Sequence, residues 1–459
     1  MYNAGIRDDR LHEECGIFGI YGREGSGISR TTYYGLYALQ HRGQESAGIA
    51  VAAGGKIKYY KQMGLVSEVF DDSILESLEG CISCGHVRYS TIGDSHVINS
   101  QPLVVKYRNG SLAMAHNGSL VNADKLRGEL EQEGVIFQTT VDSEVIANLV
   151  ARKDRGDILE AVLETMDCVR GAYALIIMTG DKLIGVRDPN GIRPLSIGRK
   201  DGFYMLSSES CAFDTVGAKL LRDVEPGEIV VIDREGIRSF YYHGPRTNNL
   251  CVFEFIYFGR PDSVMAGKNI YMARRRAGVN LYRECPADAD IVISVPDSGT
   301  AAAIGYSEAS GIPFMEGLVK NRYVGRTFIQ PRQRQREISV ALKLNVLGDM
   351  VKGKRVVMVD DSIVRGTTSR NLVRMLKNAG AVEVHFRVSS PPVQHPCYFG
   401  IDTPTRENLV GANLSVEEIR DKIEADSLGY LSLEGLLEAV GESTGYCHAC
   451  FSGNYPIEK

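Results

Sequence analysis

The stretch VVMVDDSIVRGTTS, residues 356–369, decides the fold of the second half of the chain. Four apolar residues lead into two adjacent acids, Asp360 and Asp361, then a turn of Ser, Gly and Thr, and then a segment with a helical pattern. A strand that enters such a turn at a helix N-terminus presents free backbone N–H groups and the helix dipole to an anion. The stretch therefore predicts a phosphate site. The acid pair distinguishes it from a nucleotide P-loop, whose GxxxxGK[ST] pattern does not occur in the sequence.

The pattern around this stretch predicts a parallel sheet with crossover helices. The runs ADIVISVPDSG, KRVVMVDDS and VEVHFRVSS are short, apolar and β-branched, and segments of helical length separate them. The first half alternates apolar and polar residues between Gly-containing turns, which predicts packed antiparallel sheets with flanking helices. The polar stretch 243–250 separates the two patterns. We therefore expect one domain over 15–245 and a second over 250–459 that ends in a helical tail.

Composition limits the classes of function. The chain has 459 residues, a net charge of −5 and ten cysteines. The length predicts two or three domains, and the charge does not indicate binding to nucleic acid or to an anionic membrane. No apolar run approaches the ~20 residues that span a bilayer, and the N-terminus lacks a secretory signal, so we expect a cytoplasmic protein. In that compartment, cysteines indicate metal binding or catalysis rather than disulfides.

A second set of motifs lies in the first half. Cys15 opens the run CGIFGIYG, and LQHRGQESAGIA, GHVRYSTIG, AHNGSLVN and TTVDSEV follow it in order. A cysteine alone is more often a small buried apolar residue. The complete set, however, resembles the N-terminal-nucleophile glutaminases, in which CGIFG opens the mature protein. The resemblance covers residues from 15 to about 240 and implies an αββα arrangement of layered antiparallel sheets.

This resemblance implies that residues 1–14 are a propeptide that is removed after Glu14. A thiol on the first residue has its own α-amine beside it, and the pKa of such an amine is about 7.7–8.0. The amine can therefore act as the general base near neutral pH. While residues 1–14 are attached, that nitrogen is an amide and the base is missing.

The same resemblance gives roles to the other motifs. Arg88 corresponds to the arginine that clamps the α-carboxylate of glutamine, and Asp142 to the acid that holds its α-ammonium group. Asn117 and Gly118 correspond to the oxyanion hole, in which an amide N–H and a backbone N–H stabilise the tetrahedral intermediate. Arg42, in QHRG, is expected to belong to the glutamine site and to order it near the nucleophile.

The second half resembles the type I phosphoribosyltransferases, which bind phosphoribosyl pyrophosphate (PRPP). The resemblance implies that the loop 295–300, VPDSGT, meets the pyrophosphate and that Ser298 joins Asp360 and Asp361 around Mg²⁺. The basic segment 320–343 is similar to a loop that closes over PRPP and shapes an ammonia channel; nucleic-acid binding is the weaker alternative for it. The other residues that the resemblance implies for PRPP binding are Ser362, Arg365, Gly366, Thr367, Thr368 and Lys320.

Together the two halves resemble the glutamine phosphoribosylpyrophosphate amidotransferase family. The implied reaction converts glutamine, PRPP and water into 5-phosphoribosylamine, glutamate and pyrophosphate, which is the first step of purine synthesis. The family also implies feedback inhibition by purine nucleotides and a homotetramer. One alternative is another N-terminal-cysteine amidotransferase, which would lack the 356–369 stretch. A second alternative is a PRPP-sensing regulator without catalytic activity.

Four cysteines suggest a cofactor site. Cys447 and Cys450 form a C-x-x-C pair, which is compatible with zinc or with an iron–sulfur cluster. Cys81 and Cys84 form another, but they lie on a predicted strand, where residues three apart point to opposite faces. The set Cys251, Cys397, Cys447 and Cys450 coincides with the ligands of the cluster-bearing subtype of the family. That resemblance implies a [4Fe–4S] cluster, with structural zinc as the alternative.

Overall fold

The computed structural model describes residues 15–23, 25, 27–89, 95–321, 344–441 and 444–458. The predicted propeptide and residues 322–343 of the basic segment lie outside these ranges. Within them, no helix is long and apolar enough to cross a membrane.

Antiparallel strands make up most of the first half. In chain order, the strands of the first half are β1 Gly16–Tyr21, β2 Ser46–Ala53, β3 Lys56–Met63, β4 Ile82–Arg88, β5 Leu103–Tyr107, β6 Gly110–Leu120, β7 Gly171–Met178, β8 Leu183–Arg187, β9 Ser196–Lys200, β10 Phe203–Ser207, β11 Lys219–Asp223, β12 Glu228–Asp233 and β13 Gly236–Tyr241. The helices are α1 Ile28–Ala38, α2 Val66–Val69, α3 Asp72–Ser77, α4 Ala123–Gln132, α5 Ser143–Lys153, α6 Ile158–Met166 and α7 Cys211–Val216, with 3₁₀ turns at Gln40–Arg42 and Val97–Asn99.

These strands form two stacked sheets covered by helices on both outer faces. Among the described residues, one sheet has the order β11-β9-β10-β1-β4-β2-β3 and the other β13-β12-β8-β7-β6-β5. Strand β7 shows why the layers form, because its side chains alternate between two cores. Tyr173, Leu175 and Ile177 pack with apolar residues of α4, α5 and α6, whereas Ala174 and Ile176 pack against the other sheet. Helices α1 and α7 cover the opposite face, so the predicted αββα arrangement is confirmed.

The second half combines parallel strands and helices. Its strands are β14 Leu250–Cys251, β15 Val264–Met265, β16 Lys268–Asn269, β17 Ile291–Ser294, β18 Leu318–Lys320, β19 Leu344–Val346, β20 Arg355–Asp360, β21 Glu383–Val388, β22 Ser427–Tyr430 and β23 Tyr446–Cys447. Its helices are α8 Ile270–Glu284, α9 Thr300–Ser310, α10 Gly348–Val351, α11 Thr367–Asn378, α12 Val410–Asn413, α13 Val416–Ile423, α14 Leu433–Ala439 and α15 Ala449–Ser452, with a π-helical turn at Glu254–Phe258 and a 3₁₀ turn at Arg406–Asn408.

The predicted parallel sheet is confirmed, with the order β17-β20-β21-β22 in the described part of the chain. Val357 and Val359 of β20 pack with α8 and α9, and Val356 and Met358 pack with α11, so the sheet is covered on both faces. The prediction that the tail is wholly helical is wrong at β22, which adds a fourth parallel strand. The order places the carboxyl ends of β17 and β20 side by side, where ligands bind in such sheets.

Candidate active sites

Cys15 lies immediately before β1, at the edge of the first sheet. Strand β1 pairs with β4, with Gly16 opposite Val87, so that Cys15 lies beside the end of the strand that carries Arg88. The Cys15 thiol is partly exposed and its Sγ lies 3.9 Å from the carbonyl oxygen of Tyr89. The sheet register therefore brings two of the predicted glutaminase residues together.

Arg88 is almost completely buried at the end of β4. The backbone of Gly43, in the QHRG segment, packs tightly against the backbone of Arg88. A Cβ atom added at Gly43 would lie only 2.6 Å from the backbone nitrogen of Arg88. Glu45 N also donates to the Arg88 carbonyl at 3.0 Å. Two motifs that are more than 40 residues apart in the sequence are thus adjacent in the fold.

Asn117 and Gly118 lie on β6, in the facing sheet. Asn117 is fully buried, and neither polar atom of its amide has a hydrogen-bond partner among the described residues. Gly118 has a φ of 139°, and a Cβ atom there would lie 2.0 Å from the carbonyl oxygen of Ala172. Only glycine fits at this position. Burying an amide without a hydrogen-bond partner costs free energy. Such an unsatisfied group is typical of a side chain that binds a ligand.

Asp142 lies at the N-terminus of α5 and is buried. One of its carboxylate oxygens accepts a hydrogen bond from Leu120 N at 2.9 Å, and the other lies 3.7 Å from His116 Nδ1. The bond from Leu120 places Asp142 against the end of β6, two residues along that strand from Gly118.

Two buried histidines connect the strands of this site. His86, two residues before Arg88, pairs through Nε2 with the carbonyl oxygen of His116 at 3.1 Å. Burial lowers the pKa of His86 to about 3 and also lowers the pKa of His116. Both imidazoles are therefore neutral near pH 7 and act as fixed hydrogen-bonding groups. The His86 imidazole joins β4 to β6, and the His116 imidazole joins β6 to Ser143 at the start of α5.

Arg42 makes contacts that the sequence analysis did not predict. Its guanidinium donates to Glu209 at 2.5 Å and to both oxygens of Glu254 at 3.0 and 2.8 Å. All three side chains are buried, and Glu254 belongs to the π-helical turn at the start of the second half. These bonds join the two halves, whereas Arg42 was expected in the glutamine site. The segment that carries Arg42 is nevertheless close to the nucleophile, because a Cβ on Gly16 would lie 3.5 Å from the Arg42 Cβ.

The second candidate site lies where β20 ends. Asp360 and Asp361 are both buried, and Asp361 N donates to the Asp360 carboxylate at 2.9 Å. The Ser362 hydroxyl donates to Asp361 Oδ1 at 2.5 Å, and the Ser298 hydroxyl donates to Asp361 Oδ2. The structure therefore brings together two carboxylates and two hydroxyls that the sequence assigned to one site.

The loop after β17 lies directly against this site. A Cβ on Gly299 would lie 2.5 Å from the carbonyl oxygen of Val359 and 3.2 Å from the Asp360 Cα, so glycine is required for this close approach. Lys320, at the end of β18, reaches the same loop and pairs with Asp297 at 2.9 Å. The helix α11 begins at Thr367, with Gly366 as its N-cap, so the segment from Arg365 to Thr368 forms the entry to a helix N-terminus.

The four cysteines that were predicted as ligands are also neighbours. Cys251 and Cys447 are register partners in the parallel pair β14–β23, and Phe399 N contacts Cys397 Sγ at 3.3 Å. Burial raises the pKa of Cys447 to about 12, and the pKa of Cys450 is also raised, first by burial and then by the thiols of the other three. As placed here, the described residues contain no group of three or more Cys, His, Asp or Glu side chains with metal-binding geometry.

The other C-x-x-C pair does not converge. The Cys81 thiol contacts the carbonyl oxygen of Ala52, whereas the Cys84 thiol contacts that of Ile176 on the facing sheet. The two thiols point away from each other, as the strand pattern predicts.

Sequence reasoning missed several residues that support these sites. Gln101 and Ser143 connect the segments of Asn117 and Asp142, and Glu209 and Glu254 bind Arg42. Ser143 lies within the motif TTVDSEV, directly after Asp142, and could have been found there. The others lie in no recognised motif, and only the fold shows their contacts.

Comparison with known proteins agrees with this two-site architecture. Residues 86–215 match a glutamine amidotransferase domain family, and residues 262–392 match a phosphoribosyl transferase domain family. The amidophosphoribosyltransferase of Synechocystis sp. is 53% identical over 461 residues, which cover 99% of this chain and 93% of the relative. The amidophosphoribosyltransferase of Bacillus subtilis is 51% identical over 454 residues, covering 98% and 95% of the two chains.

A solved structure matches over nearly the whole chain. The glutamine PRPP amidotransferase from B. subtilis complexed with ADP and GMP has a TM-score of 0.92 at 51% identity, covering 97% of this chain and 98% of that one. The fold and its two sites define a glutamine amidotransferase joined to a phosphoribosyltransferase. More particularly, the chain belongs to the amidophosphoribosyltransferase family. The predicted enzyme class is thereby confirmed, and with it the function in the first step of purine biosynthesis; neither alternative is favoured.

Proposed function

We propose that the chain converts glutamine, PRPP and water into 5-phosphoribosylamine, glutamate and pyrophosphate at two sites, and that ammonia passes between them. The observation that carries this proposal is that the fold brings together the motif of Cys15 and the three motifs of Arg88, Asn117 and Asp142. Pairing of β1 with β4 brings Arg88 beside Cys15, and the His86–His116 bond brings Asn117 toward that strand. The bond from Leu120 N to Asp142 completes the set.

In the first site, the Cys15 thiol attacks the side-chain amide carbon of glutamine. Removal of residues 1–14 frees the α-amine of Cys15, which accepts the thiol proton and passes it to the leaving ammonia. The Asn117 amide and the Gly118 backbone N–H bind the oxyanion. Water then hydrolyses the thioester and releases glutamate, through a second oxyanion at the same donors.

The remaining residues of the first site orient glutamine. The guanidinium of Arg88 offers two parallel N–H groups to the α-carboxylate, and Asp142 offers a buried carboxylate to the α-ammonium group. Arg42 acts indirectly. It lies close to Gly16 and is fixed by Glu209 and Glu254, so it positions the nucleophile strand rather than the substrate.

In the second site, buried carboxylates and a helix N-terminus bind PRPP. Asp360 and Asp361 accept hydrogen bonds from the ribose hydroxyls, and Ser362, Arg365, Gly366, Thr367 and Thr368 surround the 5′-phosphate at the start of α11. The residues also fit Mg²⁺, because the Ser298 hydroxyl meets the Asp361 carboxylate next to Asp360. Mg²⁺ held by Ser298, Asp360 and Asp361 would supply neutralisation of the charge that develops on pyrophosphate. Lys320 would leave Asp297 for the pyrophosphate.

Cys251, Cys397, Cys447 and Cys450 are proposed as ligands of a [4Fe–4S] cluster. Four neighbouring thiols in an apolar environment are the donor set of such a cluster. A cluster bound by these four cysteines would connect the start of the second half, its core and the C-terminal tail. Its role is therefore stabilisation, because metal binding adds its free energy to folding.

Further features follow from the family. The related B. subtilis enzyme was solved with ADP and GMP, which supports feedback inhibition by purine nucleotides in this chain. We also propose a cytoplasmic homotetramer, with a propeptide at 1–14, a glutaminase domain at 15–245 and a phosphoribosyltransferase domain at 250–459.

Replacement of the nucleophile tests the two-site proposal. Cys15→Ala should abolish glutamine use and keep PRPP-dependent synthesis from added ammonia, because the PRPP site lies in the other half. Glutamate, pyrophosphate and phosphoribosylamine formation should be measured with each nitrogen source. Loss of both activities in a folded protein would contradict separable sites.

A further inference from the structure

One buried side chain bridges two motifs of the candidate glutaminase site. Gln101 Oε1 accepts a hydrogen bond from His116 N at 2.8 Å, and Gln101 Nε2 donates to Ser143 Oγ at 3.2 Å. His116 directly precedes Asn117, and Ser143 directly follows Asp142. Gln101 therefore contacts the residue next to the oxyanion group and the residue next to the ammonium-binding group at the same time.

Ser143 closes this network. Its Oγ lies 2.9 Å from His116 Nδ1 and donates to Asp142 Oδ1 at 3.4 Å. Gln101, His116 and Ser143 are all buried, so water does not compete for these bonds. In such an environment, a network whose members are mutually bonded holds a single arrangement.

The backbone around Gln101 is itself fixed from two directions. Lys61 Nζ donates to the carbonyl oxygens of Ser100 and Pro102, at 2.6 and 3.5 Å. Asn99 pairs with Thr140 through both atoms of its amide, at 2.9 and 3.1 Å. The segment 97–102 is thus attached to the sheet on one side and to the loop before Asp142 on the other.

We propose that Gln101 is a positioning residue for glutamine hydrolysis, which sets the spacing between the oxyanion donors and Asp142. This inference rests on the proposed function. The reacting carbonyl and the α-ammonium group of glutamine are separated by a short chain of bonds, so both can bind only if their protein partners keep one spacing. An error of about 1 Å in such a spacing costs about 100-fold in rate.

Gln101→Met is the direct test, because methionine has a similar length and forms neither bond. The value of kcat/KM for glutamine should fall about 100-fold. PRPP-dependent synthesis from added ammonia should stay unchanged, since that site lies in the other half. Gln132→Met, at the exposed end of α4, is the matched control and should change neither activity.

Gln101→Glu separates the two bonds. The carboxylate still accepts from His116 N, so kcat should recover toward the wild-type value. It can meet Ser143 only as an acceptor, which turns the Ser143 hydroxyl away from Asp142, so KM for glutamine should stay raised. A merely structural role would change both activities together in both variants.

Two results would overturn the inference: wild-type kcat/KM for glutamine in both variants, or equal loss of the glutamine and ammonia activities. Failure of the proposed function is distinguishable from either, because the wild-type protein would then release no glutamate from glutamine.

Discussion

Arg42 and Glu254 come from opposite halves of the chain and form a buried bidentate ion pair, with N···O distances of 3.0 and 2.8 Å. Glu209 accepts from the same guanidinium at 2.5 Å and also binds Arg260 N and the Ser263 hydroxyl beyond the junction. Interactions with His41 and Arg42 lower the pKa of Glu209 well below its ordinary value, against the effect of burial. The turn that carries Arg42, which packs against Gly16 beside Cys15, is therefore held to the second half by charge.

Removal of Arg42 should destabilise the junction. Arg42→Met leaves Glu209 with only His41, and Glu254 with only Arg193 at 3.6 Å, as a basic partner. Breaking a buried ion pair from one side costs about 3–5 kcal/mol. The double variant Arg42→Met, Glu209→Gln should recover part of that loss, because the remaining buried acid, Glu254, keeps Arg193 as its ion-pair partner. Thermal unfolding of the two variants measures the difference. Equal unfolding temperatures for Arg42→Met and the wild type would contradict the account.

The adjacent acids at the end of β20 should be required whatever the nitrogen source. Asp360→Asn and Asp361→Asn should each lower PRPP turnover by on the order of 100-fold or more, with glutamine and with ammonia alike. Basal glutaminase activity should persist and lose its stimulation by PRPP. PRPP binding and pyrophosphate release measure the effect, and unchanged affinity and turnover would remove the assignment of the second site.

The four neighbouring thiols should hold iron. Protein prepared without oxygen should be brown and contain iron and sulfide at about four each per chain. Cys447→Ser should give poorly folded protein without iron, because one ligand and its share of the folding energy are lost.

Cys81→Ser is the control for that substitution, since the Cys81 thiol contacts Ala52 and lies outside the group of four. It should fold normally and keep its iron. Zinc without iron in protein prepared without oxygen would contradict the cluster and favour a structural zinc instead.

The buried neutral His86 should make stability depend on pH. Its pKa is lowered from 6.5 to about 3, so below pH 6.5 the unfolded chain binds a proton that the native state does not. Stability is thus lost on acidification at about 1.4 kcal/mol per pH unit. Asp188, whose pKa is raised to about 6, has the opposite effect below that pH. A comparison of the wild type with His86→Gln cancels the contribution of Asp188.

The denaturant midpoints of the wild type and of His86→Gln, measured above and below pH 6.5, show how much stability each protein loses on acidification. The wild type should lose more stability on acidification than His86→Gln. Parallel curves would show that His86 is accessible to protons in the native state.

The sequence predicted the layered glutaminase and the parallel sheet because both depend on local periodicity. Strand β20 is apolar, β-branched and followed by a polar turn, so its pattern is unambiguous. Strand β22, Ser427–Tyr430, was missed because it is four residues long, contains Gly and lies between two helical patterns. Its strand conformation comes from pairing with β21, which local sequence does not encode.

For the candidate sites too, the sequence predicted residues in local motifs and missed residues that meet only through the fold. Motifs singled out Cys15, Asn117, Asp360 and Asp361 as candidates, because the proposed chemistry requires those residue types in a short pattern. The partners of Arg42 could not be predicted, since Glu209 and Glu254 lie about 170 and 210 residues away and pair only through the fold. Gln101 was missed for the same reason.

The most direct test of the central claim follows the amide nitrogen of glutamine. Processed protein should be supplied with PRPP, Mg²⁺ and glutamine labelled with ¹⁵N in its side-chain amide. The account predicts that PRPP stimulates glutamate release above the basal glutaminase rate, that this stimulated glutamate and pyrophosphate form in equal amounts, and that the label appears in phosphoribosylamine. Release of the label as free ammonia with no pyrophosphate would contradict a two-site enzyme.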